Sequence, residues 1–269
     1  MKRVLLTGFP GFIGSRIIDR LLRRDADLEV ICLVQPKFME KAAQDTAALS
    51  DGARVRVVPG DISKPRFGLT HEAYKTLAGD IEEVWHLAAI YDLTISATIA
   101  NRVNVGGTLE VLDFCRACPG LRKLVYFSTC YVAGDRQGVI KEDELEARQG
   151  FKNHYEATKY AAEVEVRRAI DKGLPVIIIR PSIVVGDSQT GETGKFDGPY
   201  FGMRFIDHFK WLPVGLPMLG PSLAFVNLTP VDFLIDATLV IAAKPGSVGK
   251  TFQVADPAPT QAKEIYKEL

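Results

Sequence analysis

The chain has 269 residues, of which 33 are lysine or arginine and 33 are aspartate or glutamate, so its formal net charge is zero. This balance provides no basic field for nucleic acid or an acidic lipid surface, and no apolar run reaches the roughly 18 residues that a membrane-spanning helix needs. We therefore expect a cytoplasmic protein with a small-molecule partner, in a chain long enough for one large α/β domain.

The chain opens with a short apolar strand, a glycine-rich turn and an amphipathic helix. The strand covers Val4–Leu6, the turn contains Gly8, Gly11 and Gly14, and the helical pattern runs from Phe12 to Leu22. Glycines at such a turn let backbone N–H groups approach a diphosphate at the helix N-terminus. The same glycines would suit a tight turn that binds no ligand, so the turn alone does not decide between the two interpretations.

Apolar strands and helical patterns alternate along the rest of the chain. The predicted strands cover 28–34, 55–58, 84–89, 124–128, 175–181 and 251–254, and the predicted helices cover 38–49, 94–118, 155–172 and 231–243. Continuous apolar strands that alternate with helices are typical of a parallel sheet covered on both faces. The sequence therefore predicts a doubly wound α/β fold of the Rossmann type, in which ligands bind at the carboxyl ends of the strands.

The composition changes after Ser182, where the chain becomes rich in glycine, proline and aromatic residues. We predict a dinucleotide-binding domain over 1–182 to which 228–254 returns, and a small substrate-binding lid region over 183–227 and 255–269. One helix is predicted around 200–209, and another begins near 260 and reaches the last residue, so we expect the natural chain to continue. The predicted lid aromatics are Phe196, Tyr200, Phe201, Phe205, Phe209 and Trp211.

Tyr155 and Lys159 lie four residues apart, on the same face of a predicted helix. A nearby ammonium favours the phenolate, so we expect Lys159 to lower the pKa of Tyr155 and make it usable for proton transfer. Thr129 ends the fifth strand, where its hydroxyl can hold a substrate carbonyl oxygen. Cys130 is a competing nucleophile, but strand alternation would direct it away from Thr129.

The remaining cysteines and the histidines indicate no metal site. Cys115 and Cys118 have the spacing of a redox motif, but they fall at the end of a predicted helix, and no second pair completes a zinc site. The four histidines are scattered without the spacing of metal ligands. We interpret the two cysteines as neighbours on a helix end.

Six motifs together carry a resemblance to a known family. They are Thr7-Gly8-x-x-Gly11-x-x-Gly14, His86-Leu87-Ala88-Ala89, Asn104-Val105-x-Gly107-Thr108, Ser128-Thr129, Tyr155-x-x-x-Lys159 and Arg180-Pro181. In their order and spacing they resemble the extended short-chain dehydrogenase/reductase superfamily. Within it, residues 60–69 and 180–188 resemble the branch that contains fatty acyl-CoA reductases and the thioester reductase domains of carboxylic acid reductases and peptide synthetases.

The resemblance implies a catalytic trio and a cofactor site. Tyr155 would be the general acid/base, Lys159 would bind the ribose hydroxyls and Thr129 would orient the carbonyl. The resemblance also implies a possible homodimer. The implied cofactor-binding residues are Gly8, Phe9, Gly11, Phe12, Ile13, Gly14, Gln35, Lys37, Asp61, Ile62, Ala88, Ala89, Tyr155, Lys159, Pro181, Ile183 and Val184.

The end of the second strand favours NADP over NAD. An NAD site usually presents an acidic residue there, roughly 20 residues beyond the glycines. Here the strand leads into Gln35, Pro36 and Lys37, and no acidic residue occurs before Glu40. Lys37 or Arg16 could attract a 2′-phosphate, although Lys37 suits a solvated loop equally well. Related reductases commonly carry arginine in place of Gln35, and this departure keeps NAD open.

The sequence therefore predicts an NAD(P)H-dependent reductase of a carbonyl or acyl thioester with a lipid-like or polyketide-like chain. A nucleotide-sugar epimerase or dehydratase, or a hydroxysteroid-type dehydrogenase, is the alternative enzyme because these share the trio. A non-catalytic NAD(P)-binding redox sensor is the alternative of another class. A sensor has no need of Thr129, Tyr155 and Lys159.

Overall fold

The computed structural model describes residues 1–91, 95–194, 200, 203–204, 208 and 224–267. The strands are β1 (Lys2–Thr7), β2 (Leu28–Val34), β3 (Val55–Pro59), β4 (Glu83–His86), β5 (Lys123–Phe127), β6 (Val176–Pro181), β7 (Ile183–Val185), β8 (Phe225–Val226), β9 (Leu228–Pro230), β10 (Thr251–Val254) and β11 (Thr260–Gln261). The helices are α1 (Phe12–Arg24), α2 (Met39–Ala47), α3 (His71–Asp80), α4 (Ala97–Ala100), α5 (Gly107–Ala117), α6 (His154–Asp171), α7 (Val231–Ala243) and α8 (Ala262–Lys267).

Seven parallel strands form the central sheet in the order β3-β2-β1-β4-β5-β6-β10. The strand order reverses between β1 and β4, which pair from Val4 opposite Glu83 to Thr7 opposite His86. A crevice at the carboxyl end of such a switch point is where doubly wound sheets bind dinucleotides. The arrangement confirms the predicted Rossmann-type α/β fold.

Successive residues of each strand point to opposite sides of the sheet, and apolar clusters bury both sides. Leu5 lies in one apolar cluster with Val111 of α5 and Val166 of α6. Leu6 lies in the other cluster, with Ile17 of α1 and Leu234 of α7. Helices therefore cover the sheet on both sides, and its strand ends are left to form the site.

Several elements differ from the predictions. Helix α3 was not predicted, and the fourth strand ends at His86 instead of Ala89. The strand ends early because its partner β1 ends at Thr7, where the glycine-rich turn begins. The predicted helix over 94–118 is also interrupted, since Asn101–Gly106 forms a π-helical turn between α4 and α5.

The C-terminal part of the chain both extends the sheet and adds smaller pairings. β10 pairs with β6, β7 pairs with β9, and β8 pairs with β11. The boundary between a nucleotide-binding domain and a lid region stays a prediction. Most of the predicted helix at 200–209 and the aromatics Phe196, Phe201, Phe205, Phe209 and Trp211 lie outside the described residues. Within the described ranges, every helix is too short or too polar to cross a bilayer.

Candidate active site

The glycine-rich turn joins β1 to α1 at the carboxyl edge of the sheet. Gly8 has a positive φ of 99°, and its carbonyl accepts a hydrogen bond of 2.9 Å from the Gly11 N–H. A Cβ atom on Gly11 or Gly14 would lie 2.6 Å from the Gly8 carbonyl oxygen. The glycines are therefore required by the turn itself, which folds back over the start of the helix.

The start of α1 suits an anionic ligand. Its N-cap residue is Gly11, which has no side chain that could cap the first N–H groups of the helix. Such N–H groups and the positive end of the helix dipole favour a diphosphate. The predicted contacts Phe9, Phe12 and Ile13 belong to this turn; Phe9 is buried, whereas Phe12 and Ile13 are half-buried. The turn therefore fits the diphosphate of a dinucleotide.

Gln35 and Asp61 meet where β2 and β3 end. The Gln35 Nε2 atom donates to Asp61 Oδ1 at 3.1 Å, and the Ser63 N–H and hydroxyl donate to the same oxygen at 2.9 and 2.8 Å. Partial burial disfavours the charged form of Asp61, but the hydrogen bonds from Ser63 and Gln35 outweigh it and lower the pKa of Asp61. The structure therefore joins two residues predicted at the adenosine end of the cofactor.

Two cations flank this edge. The Lys37 ammonium lies 4.8 Å from the centre of the Phe38 ring. The Arg16 guanidinium lies 4.1 Å from the centre of the Phe12 ring, and its Nη2 atom is 3.1 Å from Glu192 Oε2. Arg16 is thus engaged by a segment that follows β7.

Thr129 and Tyr155 come together at the end of β5. Thr129 is buried, and its hydroxyl oxygen accepts a hydrogen bond of 3.2 Å from the Tyr131 N–H. The side chain of Thr129 lies close enough to the phenol of Tyr155, in the first turn of α6, to lower its pKa. The ring of Tyr155 is half-buried, and the ring of Tyr91 packs edge-on against it with 4.8 Å between centres. Two members of the predicted trio are therefore neighbours.

Lys159 lies one helical turn after Tyr155 and is buried. Its Nζ atom donates to the Phe127 carbonyl at 2.6 Å and to the Tyr126 hydroxyl at 3.2 Å. Burial lowers the pKa of Lys159 to about 8, although Glu163 acts in the opposite direction. The ammonium is thus anchored to the end of β5.

The expectation that Lys159 lowers the pKa of Tyr155 is wrong for this structure. Burial raises the pKa of the phenol above its usual value, Tyr91 adds to the increase, and the hydrogen bond with Thr129 only partly offsets it. The Lys159 ammonium makes its hydrogen bonds with Phe127 and Tyr126. Tyr155 is therefore a protonated phenol at neutral pH.

Comparisons with known proteins identify the family. Residues 6–238 match the family model of an NAD-binding domain described as male sterility protein. The chain belongs to this family. It is 29% identical to glycine betaine reductase ATRR from Emericella nidulans over the whole chain and 22% of that protein. The chain spans about a fifth of the length of the curated relatives it matches.

Solved structures agree with the membership in the male sterility family. The terminal R domain from the myxalamid PKS-NRPS biosynthetic pathway superposes with a TM-score of 0.88 at 29% identity, over 99% of this chain and 68% of that one. UDP-glucuronic acid 4-epimerase from Bacillus cereus, in complex with NAD, superposes with a TM-score of 0.74 at 22% identity, over 98% of this chain and 81% of that one, which shows a shared fold. The resemblance to extended short-chain reductases predicted from the sequence is confirmed.

The other predicted cofactor contacts of this male sterility family member lie along the same edge. Ala88 and Ala89 follow β4, Pro181 ends β6, and Ile183 and Val184 lie in β7. Ala88 is held in place because its N–H donates to the Thr7 hydroxyl at 3.3 Å. These residues therefore lie at the carboxyl ends of β4 and β6 and in the short strand that follows β6.

The side chains of Ile62, a predicted contact, and Cys130, the competing nucleophile, are both engaged within the fold. The Ile62 side chain packs on α5, where a Cβ atom on Gly107 would lie 2.7 Å from Ile62 Cδ1. Only the backbone of Ile62 is thus available to a ligand. Cys130 donates from Sγ to the Arg180 carbonyl at 3.2 Å, and burial raises its pKa to about 11, so the thiol is not a nucleophile at neutral pH.

Sequence reasoning quoted His86 and Thr108 within motifs but gave these buried polar residues no role of their own. His86 Nδ1 is hydrogen-bonded to the Thr7 hydroxyl at 2.7 Å and His86 Nε2 to the Thr108 hydroxyl at 3.2 Å. Burial and the charge of Lys159 lower the pKa of His86 to about 3, so the ring is neutral. Tyr126 and Glu163 were missed by the sequence analysis. For Tyr126 the sequence held no signal, whereas Glu163 follows Lys159 by four residues on the same helix face.

Proposed function

We propose that the chain is an NADPH-dependent reductase domain that acts on a carbonyl or acyl-thioester substrate. The observation that carries this proposal is the proximity of Thr129 and Tyr155 at the carboxyl edge of a Rossmann-type sheet, beside a turn that fits a diphosphate. A relative called glycine betaine reductase and a solved R domain of a PKS-NRPS pathway support the reductase class. The same R domain supports a thioester as the substrate.

The chemistry assigns a distinct task to each residue of the trio. When bound, the nicotinamide cofactor supplies the hydride. The Thr129 hydroxyl orients the substrate carbonyl oxygen, and Tyr155, whose pKa is raised, donates its proton to that oxygen. The positive charge of Lys159 would stabilise the developing oxyanion, and its remaining N–H would be available to a ribose hydroxyl. With a thioester, a hydride on the carbonyl carbon and the Tyr155 proton on the oxygen would give a hemithioacetal. Its hydroxyl proton then passes to sulfur as the C–S bond breaks, the products are an aldehyde and a thiol, and solvent reprotonates Tyr155.

NADPH is proposed over NADH because no carboxylate follows directly after β2. Gln35 occupies the strand end and is bonded to Asp61, while Lys37 and Arg16 supply positive charge nearby. A cytoplasmic location and a homodimer stay predictions from the sequence. Cell fractionation and sedimentation of the purified chain would test them.

A substrate panel with a matched pair of variants tests the proposed function. NADPH oxidation is followed with acyl-CoAs of several chain lengths, with aldehydes and with ketones. Tyr155→Phe is expected to lower kcat by about 10²–10⁴, the usual contribution of a positioned general acid. Tyr160→Phe is the control, since Tyr160 lies on the same helix and its ring packs on Phe151 with 5.0 Å between centres.

The outcomes separate the alternatives. Turnover that is unchanged in Tyr155→Phe would remove Tyr155 from the mechanism. Nucleotide binding without oxidation of NADPH by any carbonyl would favour the redox sensor. Interconversion of nucleotide sugars without net NADPH consumption would favour the epimerase.

A further inference from the structure

A buried cluster of charges lies directly behind the trio. Glu163 on α6 is fully buried, and its carboxylate accepts hydrogen bonds from three residues. The Arg180 Nη2 atom donates at 2.6 Å, the Arg167 Nε atom at 3.0 Å and the Ser128 hydroxyl at 2.6 Å. Arg180 is also buried, whereas Arg167 is partly exposed.

Such a cluster is a poor device for stability alone. Removing a carboxylate and a guanidinium from water is costly, and apolar residues of similar volume often stabilise a fold as well or better. The presence of the cluster is therefore better explained by where Glu163 lies relative to the trio. Glu163 follows Tyr155 by eight residues and Lys159 by four, so the three side chains leave α6 on one face.

This helix face holds the end of β5 at three consecutive residues. The Lys159 ammonium donates to the Phe127 carbonyl at 2.6 Å, and the Ser128 hydroxyl donates to Glu163 Oε2 at 2.6 Å. The next residue is Thr129, whose side chain lies near the Tyr155 phenol and lowers its pKa. Lys159 and Glu163 thus attach α6, which carries Tyr155, to the strand end that carries Thr129.

The same cations hold the segment that leads into α6. Arg167 donates to the Asp143 carbonyl at 3.0 Å and to the Glu142 carbonyl at 2.6 Å. Arg180 donates to the Glu144 carbonyl at 3.2 Å. Glu163 therefore orders, through its two arginine partners, the chain on the N-terminal side of Tyr155.

We propose that Glu163 is a positioning residue of the reductase site, which fixes Thr129 against Tyr155 and keeps Lys159 charged. The proposal rests on the proposed reductase function. It assigns to Glu163 no contact with substrate or cofactor; the residue acts through Ser128, Arg180 and Lys159.

Electrostatics agree with this geometry. Burial disfavours the charged form of Glu163, but its bonds with Arg180 and Ser128 lower its pKa, so it is ionised. The other titratable groups that face Lys159 are His86 on β4, Tyr126 on β5 and Tyr155 on α6. His86 is neutral, and burial raises the pKa of both phenols. Among these described groups, Glu163 supplies the negative charge that raises the pKa of Lys159.

The test compares four variants of the full chain. Glu163→Gln removes the charge, and Ser128→Ala removes one hydrogen bond while the ion pair stays. The double variant Glu163→Gln/Arg180→Met removes both buried charges. Glu165→Gln is the control, because Glu165 pairs with Arg168 on the same helix but away from the site. The readouts are kcat, KM, the melting temperature and the pKa of Lys159 from the NMR shift of ¹³C-labelled lysine.

The expected results distinguish positioning from stability. Glu163→Gln lowers kcat by about tenfold to a hundredfold, changes KM by less than about threefold, and lowers the pKa of Lys159 by about one unit. Ser128→Ala lowers kcat by about threefold to tenfold at an unchanged pKa of Lys159. The double variant melts near the wild-type temperature, yet its kcat stays low. Glu165→Gln matches the wild type.

Two results would overturn the proposal. A double variant that regains wild-type kcat would show that the cluster serves stability alone. An unchanged pKa of Lys159 in Glu163→Gln would remove the electrostatic role. If the wild type reduces no carbonyl, the proposed function fails, while the NMR measurement still decides whether Glu163 controls Lys159.

Discussion

Lys159 holds its charge in a buried position, and this makes the activity sensitive to alkaline pH. Its pKa is lowered to about 8 by burial, so the ammonium is protonated below that pH and neutral above it. Because the ammonium supplies the positive charge beneath the carbonyl oxygen, we expect kcat to fall with an apparent pKa near 8 as pH rises. The fall should approach tenfold per pH unit well above the pKa. Initial rates with a neutral aldehyde between pH 6 and 10 measure this limb.

Tyr155 cannot produce that limb, since burial raises the pKa of the phenol above its usual value. An activity that stays constant to pH 9.5 would contradict the role given to Lys159. The choice of a neutral aldehyde removes titration of the substrate as a competing cause.

The sequence predicted that Thr129, Tyr155 and Lys159 belong to one site, but it did not predict how burial shifts the pKa of Tyr155. The spacing of Tyr155 and Lys159 places both on one helix face, and the strand pattern places Thr129 at a sheet edge. The direction of the pKa shift of Tyr155 depends on its burial and on Tyr91, which lies 64 positions away in a loop. Such long-range packing leaves no mark in local spacing.

At the scale of elements, the turn between β1 and α1 offers a steric test. A Cβ atom on Gly14 would lie 2.6 Å from the Gly8 carbonyl oxygen, so Gly14→Ala must open the turn. We expect about 1–3 kcal/mol lower free energy of unfolding, as for other overpacked sites, and at least about tenfold weaker nucleotide binding. Urea denaturation and fluorescence titration measure the two effects.

Gly79→Ala is the matched control for this substitution. Gly79 lies in α3, and no heavy atom lies within 4 Å of the Cβ position. We expect alanine to stabilise the protein by about 0.5–1 kcal/mol through helix propensity, with nucleotide affinity unchanged. Equal effects of the two substitutions would mean that the turn is not under steric constraint.

The elements themselves were predicted unevenly, for physical reasons. The sheet strands are continuous apolar runs, because both of their faces are covered, and six of the seven were predicted within about two residues of their observed bounds. Helix α3 was missed because it buries only Tyr74, Leu77 and Ala78 and so has a weak periodic pattern. The π-helical turn at 101–106 contains Asn104, whose side chain hydrogen-bonds with Ile90 and Thr158. These contacts form only in the folded chain, so the sequence pattern did not predict the turn.

At the scale of the whole molecule, the fold places the site between the ends of six neighbouring strands. The nucleotide would therefore contact both halves of the sheet, from Gln35 after β2 to Pro181 at the end of β6. A ligand that binds the native state alone stabilises the entire domain. Nucleotide affinity can thus be read from global unfolding.

This linkage tests the preference for NADPH. A nucleotide at a hundred times its Kd adds about 2.7 kcal/mol to the free energy of unfolding, and one that binds tenfold more weakly adds about 1.4 kcal/mol at the same concentration. We expect NADPH to raise the melting temperature several degrees more than NADH does.

Arg16→Gln and Lys37→Gln should reduce the difference, because these are the cations predicted from the sequence to attract the 2′-phosphate. Lys41→Gln is the control, since Lys41 pairs with Asp45 within α2 at 2.9 Å. Equal shifts with NADPH and NADH would show that Gln35 and the two cations do not select the phosphate.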